Sequence, residues 1–385
     1  MQQFIDVHSH LLNFRFVSDG FFKTRSAPRE WFLRRKGTAW LARVATVVTP
    51  GPKYDKLHEV LDMMRRDFDE VARILVGEMK EANIVLSTPL MMDLEIASFH
   101  VKPECPYRYQ VKLTSDMAIE HPGRIMPFIM FDPRRKFASK ATIEALDKMG
   151  FLGVKMYPPL GYHPDPSSFC NADGVERELE TVYGYCEENS VPITTHCSKD
   201  GGYSSELMRC MECARDFCRP SSWKGVLQKH PALYLNFAHF GGNDELMLMG
   251  KDRQEETWCT QILDLMKEYD NVYADLSYHS RALSRTTAKR YFPILKHLMG
   301  QDRTKDRIIF GTDWPMTRHT WTLEEYVKPF IAELAPEPEM LDRIAFQNPL
   351  RFLFPGRKLP QRISEFFASN GVGEDAYPPW MEALR

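Results

Sequence analysis

No apolar run in the sequence is long enough to cross a bilayer, so no membrane span is expected. An excess of charge is lacking too. The 50 Lys and Arg nearly balance 52 Asp and Glu, leaving a formal net charge of −2 without a long block of one sign. Nucleic acid and anionic membrane are thereby disfavoured as partners, and a small-molecule substrate is expected instead. No charged-then-apolar leader precedes the first apolar stretch, which begins at Phe4, so the expected location is cytoplasmic. Cysteine is scarce: 8 in 385 residues read as reduced thiols rather than a disulfide framework. Cys197, Cys210, Cys213 and Cys218 fall close together, but no second close pair accompanies Cys210-x-x-Cys213. Small buried residues on a helix from Ser205 to Phe217 explain them better than structural zinc. There is also no glycine-rich phosphate loop after the first strand, which argues against a nucleotide-binding sheet.

The chain has ample material for a core. Apolar residues make up 43% of it, enough for one large α/β domain with insertions. Short apolar runs alternate with stretches of helical periodicity. Strands are expected at Phe4–His10, Asn83–Thr88, Ile125–Phe131, Gly153–Tyr157, Pro192–His196, Leu233–His239, Val272–Ser277 and Ile308–Asp313. Helices are expected at Tyr54–Ala82, Tyr107–Glu120, Lys140–Met149, Val175–Asn189, Trp258–Tyr269, Lys289–Met299, Leu323–Leu334 and Pro338–Phe346. Eight such units predict a parallel (β/α)₈ TIM barrel, although an open doubly wound sheet gives the same local signals. Residues 11–53, rich in aromatics and carrying Arg34-Arg35, are too long for an ordinary connection and read as a lid-like insertion after strand 1. A second insertion, 197–230, follows strand 5. One barrel domain is expected over 1–355. The extension over 356–385, with Pro378-Pro379-Trp380, reads as a peripheral arm, with contact in a homodimer as the alternative to surface packing.

The ends of the strands carry the chemistry. His8 and His10 share one face at the end of strand 1, because side chains alternate along a strand. Strand 4 carries Lys155, strand 5 ends in His196, strand 6 in His239 and strand 8 in Asp313. Barrel enzymes build their sites at that face. His163, His100, His279 and His319 lack strand-end positions and read as solvated loop histidines. Tyr157 and Trp314 adjoin the site in sequence and are candidate substrate contacts, with core packing equally open. Arg281 is a candidate for a substrate carboxylate, although a surface role is favoured.

The phrases Phe-Ile-Asp-Val-His-Ser-His, Gly-Val-Lys-Met-Tyr-Pro-Pro, Ala-His-Phe-Gly-Gly and Phe-Gly-Thr-Asp-Trp-Pro resemble the amidohydrolase superfamily, in its amidohydrolase-2 branch. That branch includes aminocarboxymuconate-semialdehyde decarboxylase and the resorcylate decarboxylases. The resemblance runs from Phe4 to about Phe354. It implies a divalent metal held by His8, His10 and Asp313 with His196. Zinc is the first expectation, with manganese or iron also suited to these ligands. It further implies Asp313 as general base and His239 as the group that orients or protonates the reacting group. Lys155 is either carboxylated, bridging two metals with His196 and His239 on the second, or a free lysine that pairs with Asp313 or holds a substrate carboxylate. The implied activity is a hydrolase using metal-activated water on an amide, ester or lactone. A non-oxidative decarboxylase of an aromatic or enoic acid is the alternative, and a non-catalytic binding module a distant third.

Overall fold

The computed structural model of the chain describes residues 2–17, 56–97, 102–199, 201, 211–249 and 256–384. Of the expected lid only 11–17 fall within this set; His100, Cys210 and residues 202–210 of the second insertion also lie outside it.

Eight parallel strands form in chain order: β1 (Phe4–Ser9), β2 (Ile84–Pro89), β3 (Phe128–Phe131), β4 (Gly153–Met156), β5 (Ile193–Thr195), β6 (Leu235–Phe237), β7 (Val272–Asp275) and β8 (Ile308–Ile309). Each lies where a buried apolar run predicts it. They are shorter than those runs because the last residues bend away to form the site. β1 pairs with β2, and β3 to β8 pair in sequence, all parallel. Parallel bridges Ser87↔Ile125 and Leu90↔Phe128 join β2 to β3, and Ser9↔Trp314 joins β1 to the segment after β8. Backbone bonds from Val7 N–H to Phe310 O, and from Thr312 and Asp313 N–H to His8 O, strengthen that last seam. Every strand thus has a neighbour on both sides, and the architecture is a (β/α)₈ barrel.

Amphipathic helices cover the strands. The expected helix over Tyr54–Ala82 is two helices, α1 (Leu57–Met64) and α2 (Phe68–Glu81). The break falls at Asp67, whose extended backbone starts α2, as a short acidic residue favours at a helix entrance. Later helices match their periodicity closely: α3 (Tyr107–Glu120), α4 (Ala138–Lys148), α5 (Val175–Glu188), α7 (Trp258–Glu268), α8 (Arg285–Met299) and α9 (Leu323–Leu334), while α6 (Met211–Cys218) covers the described part of the helix expected from Ser205. Capping boxes start α7, at Thr257 and Thr260, and α9, at Thr322 and Glu325.

The C-terminal segment is no peripheral arm. Helices α10 (Asn348–Leu353) and α11 (Gln361–Ser369) and the turn over Pro379–Leu384 pack onto the barrel. Phe352, Phe354, Phe366 and Trp380 form one buried cluster with Ile5, Phe128 and Ile309 of the strands. Trp380 Nε1 donates to Gly123 O at 2.9 Å, and the Arg362 guanidinium donates to the carbonyls of Leu146, Phe151 and Leu152. The apolar residues of this tail are therefore used within their own chain.

Candidate active site

β1 is pinned at the end that carries the histidines. Asp6 accepts hydrogen bonds from the backbone N–H of His8 (3.1 Å) and of Thr312 (2.9 Å), and from Thr312 Oγ1 (2.6 Å). This fastens the His-x-His turn to the strand that delivers Asp313. Gly311 eases the crossing, since a Cβ there would lie 3.0 Å from His8 Cβ and 3.2 Å from Ser277 Cβ, a tight approach. Asp313 and His239 have φ of 62° and 63°, a left-handed backbone that costs a non-glycine residue about 1 kcal/mol and recurs at functional sites.

Three ligand-capable atoms converge. Asp313 Oδ1 lies 3.1 Å from His10 Nε2 and 3.5 Å from His8 Nε2, and all three residues are buried. The other ring nitrogens fix the tautomers. His10 Nδ1 lies 2.7 Å from Leu90 O, which can only accept, so Nδ1 carries the proton and Nε2 offers a lone pair. His8 Nδ1 lies 3.1 Å from Asp275 Oδ2, so its Nε2 is likewise a lone pair, buried and without a hydrogen-bond partner among the described residues. Two imidazole lone pairs and a carboxylate facing one another repel unless a cation sits between them. The donor set therefore fits a divalent metal ion, and imidazole with carboxylate suits zinc, manganese or iron alike.

A buried network supports this group. Asp275 Oδ1 accepts from the backbone N–H of His239 and Ser277, both at 3.0 Å, and Asp275 Oδ2 accepts from Asn236 Nδ2 at 2.7 Å. Ser277 Oγ lies 2.9 Å from both His8 Nδ1 and His239 Nδ1 and bonds to Asp275. His8, His239 and Asp275 are also close enough to hold a metal, but hydrogen bonds centred on the Ser277 hydroxyl already engage them. His279, expected to be a solvated loop residue, is fully buried beneath this network. Its Nε2 lies 2.9 Å from His239 O, and its Nδ1 lies 2.8 Å from the Tyr291 hydroxyl.

Charge follows from burial and neighbours. Burial pushes the His8 imidazole down to about 4, against the pull of Asp275. It pushes His239 down as well, against Asp313 and Asp275. Burial alone would raise both carboxyls. The surrounding imidazoles, His10 first and then His8 and His239, outweigh it at Asp313, and His8, His239 and Ser277 outweigh it at Asp275. Both carboxylates are held below their ordinary range. Lys155 is pushed down to about 8 by burial, against Asp275 and Asp313.

His8, His10, Lys155, His196, His239, Asp313 and Tyr157 all line one cavity of about 810 Å³ over the strand ends, with His319 also in its wall. His196 stands apart from the converging trio. Its ring stacks on Tyr157 (centroids 4.2 Å apart) and meets the His239 ring edge-on at 5.1 Å. Trp314 is fully buried in the core and outside the cavity, because Asp313 turns the backbone so that the next side chain enters the packed side. Arg281 is exposed, pairs with Asp244 at 2.8 Å and does not line the cavity. Neither is placed as a substrate contact. Asp275, Ser277, Asn236 and His279 are the residues that strand-end reasoning passes over. A carboxylate at the end of the buried run Val272–Asp275 is the signal that marks Asp275.

Solved structures share this architecture. An uncharacterised TIM-barrel protein from Bordetella bronchiseptica is 16% identical, with a TM-score of 0.56 over 91% of this chain and 98% of its own. A manganese-bound 5-carboxyvanillate decarboxylase from Novosphingobium aromaticivorans is 12% identical, with a TM-score of 0.57 over 91% and 97%. The 2,6-dihydroxybenzoate decarboxylase from Rhizobium is 14% identical, with a TM-score of 0.52 over 92% and 99%. At such identities the likeness concerns the fold. No curated protein matches the sequence. The amidohydrolase family model matches residues 5–354, nearly the whole chain, and with the barrel and its His-x-His and aspartate at the strand ends it makes the chain a member of the amidohydrolase-2 family.

Proposed function

We propose that the protein is a metal-dependent hydrolase acting on an ester, lactone or amide, with Asp313 as general base. The observation that carries this reading is the convergence of the Asp313 carboxylate with Nε2 of His8 and of His10 at the cavity. A divalent cation held by His8, His10 and Asp313 would supply Lewis acidity and lower the pKa of water in the cavity. Asp313 accepts the proton of the attacking water and returns it to the leaving group. His239, whose Nδ1 lies 3.2 Å from Ser277 O, turns a neutral Nε2 toward the chemistry and orients the reacting group by hydrogen bonding. Decarboxylation instead needs an acid that protonates carbon. Asp313 and His239 are both biased towards their proton-accepting forms, which suits the activation of water.

The test is turnover of the metal-loaded protein on a panel of esters, lactones and amides, with products identified. Acid and alcohol or amine products, with turnover lower by a factor of about 10²–10⁴ in Asp313→Asn, support the reading. Release of carbon dioxide from an aromatic or enoic acid without hydrolytic cleavage would overturn it in favour of decarboxylation.

A further inference from the structure

The backbone changes hand immediately after β6. His239 and Phe240 have φ of 63° and 46°, and Gly241 and Gly242 follow at 77° and 110°. Glycine takes such angles freely, but His239 and Phe240 do not, so the run persists only where its surroundings hold it. The turn brings His239, Gly241 and Gly242 to the cavity.

Both strained residues are braced from outside the turn. The Cys259 thiol donates to Phe240 O at 2.8 Å. His239 N–H donates to Asp275 Oδ1 at 3.0 Å, and His239 O accepts from Gly242 N–H at 2.7 Å. That same carbonyl lies 2.9 Å from His279 Nε2. A carbonyl can only accept, so Nε2 carries the proton and donates. His279 Nδ1 is then an acceptor, 2.8 Å from the Tyr291 hydroxyl that donates to it. The backbone N–H of His279 donates to the Tyr326 hydroxyl, which in turn donates to Leu276 O. Burial pushes the His279 imidazole down to about 4, against the pull of the His239 carbonyl, so it is neutral and Nδ1 keeps its lone pair at pH 7.

This imidazole is fully buried, lies outside the cavity lining and takes no part in the converging trio. An apolar side chain would fill its place without needing two polar partners. What the imidazole adds is a donor on the His239 carbonyl. A left-handed non-glycine residue costs about as much as one neutral hydrogen bond contributes, so two in succession need more than one external bond. Asp275 fixes the N–H side of His239 and His279 its carbonyl side. Between them they set the Cα, and with it the direction of the ring.

We propose that His279 is a positioning residue: through Nε2–H on His239 O it holds the left-handed turn over 239–242 that presents the His239 imidazole to the cavity. Its effect on turnover rests on the hydrolase reading, whereas the positioning does not.

The experiment compares crystal structures of the full-length metal-loaded protein and three variants, with metal content for each. Kcat and KM are read on the ester, lactone or amide that the parent turns over. In His279→Asn the amide reaches the place of Nδ1 and keeps a partner for Tyr291, but falls short of His239 O. His239 should then leave the left-handed range and its ring should shift by about 1 Å, with kcat about 10²-fold lower at a little-changed KM. His279→Gln carries its amide to the place of Nε2 and should restore ring position and kcat together. Tyr291→Phe should keep both, because Nε2–H still reaches the carbonyl. Metal content should match the parent in all three, since His239 lies outside the trio. An unmoved His239 in folded His279→Asn, an equal displacement in His279→Gln, or metal lost from either would overturn the proposal. A displaced His239 ring in Tyr291→Phe would overturn it too, and that variant decides the matter if His279→Asn fails to fold. Hydrolysis by the parent with an unmoved ring in His279→Asn would sink this inference alone. A displaced ring, with no ester, lactone or amide turned over by the parent, would sink only the hydrolase reading.

Discussion

At the scale of single residues, the site consists of tautomers fixed by acceptors that cannot donate. Leu90 O and Asp275 Oδ2 leave His10 and His8 with lone pairs aimed at Asp313. Asp275→Asn would place an amide N–H₂ against the His8 Nδ1–H or the N–H donors of Asn236, His239 and Ser277. Metal affinity should fall about 10- to 100-fold, read by competition with a chelating indicator. Unchanged affinity would mean that His8 is oriented without Asp275. Asp6 is tested through stability. Burial pushes its carboxyl up to about 7, so a neutral amide is a fair substitute. Asp6→Ala strands the buried N–H of His8, at about 1–3 kcal/mol, and leaves the Thr312 N–H with the His8 carbonyl alone. Asp6→Asn should cost much less, and equal urea midpoints for the two variants would contradict that account. His8, His10, His196, His239 and Asp313 were legible in the sequence because each closes an apolar run. Asp275 and His279 were not. The run that Asp275 closes reads on to Ser277 in the sequence, and His279 sits in a loop whose burial depends on Tyr291 and Tyr326 from later helices.

At the scale of elements, hydrophobic periodicity located all eight strands and most helices, while their ends escaped it. β8 is regular over Ile308–Ile309 alone, because from Phe310 onwards the backbone bonds to β1 and then turns left-handed at Asp313. Propensity cannot anticipate a turn imposed by a neighbouring strand. The C-terminal segment is the clearest departure. Pro378-Pro379-Trp380 reads locally as an exposed arm, yet Trp380 is 5% exposed and hydrogen-bonded to Gly123 O. Only the barrel supplies the surface it covers. Trp380→Ala should therefore lower stability by about 3–5 kcal/mol in chemical denaturation, through lost burial and a stranded carbonyl. A change below about 1 kcal/mol would show that the tail contributes little to the core.

At the scale of the whole molecule, the barrel brings residues from five strands, up to about 300 positions apart in sequence, to one end and closes a cavity over them. The fold class was readable from the repeated βα unit, and the strand-end positions of His8, His10 and Asp313 from their order along the chain. The apolar part of the cavity lining was not readable, since it joins α1 to residues 12–14 and 92–94, which only the fold makes neighbours. The central claim is that His8, His10 and Asp313 hold one divalent cation while Lys155 remains a free amine. Elemental analysis of protein purified without chelators measures this most directly, alongside the His8→Ala/His10→Ala double variant. The account predicts about one equivalent of metal per chain, lost in the double variant with the fold retained. Two equivalents per chain, as a carboxylated Lys155 bridging two ions would require, or one equivalent retained in the double variant, would contradict it.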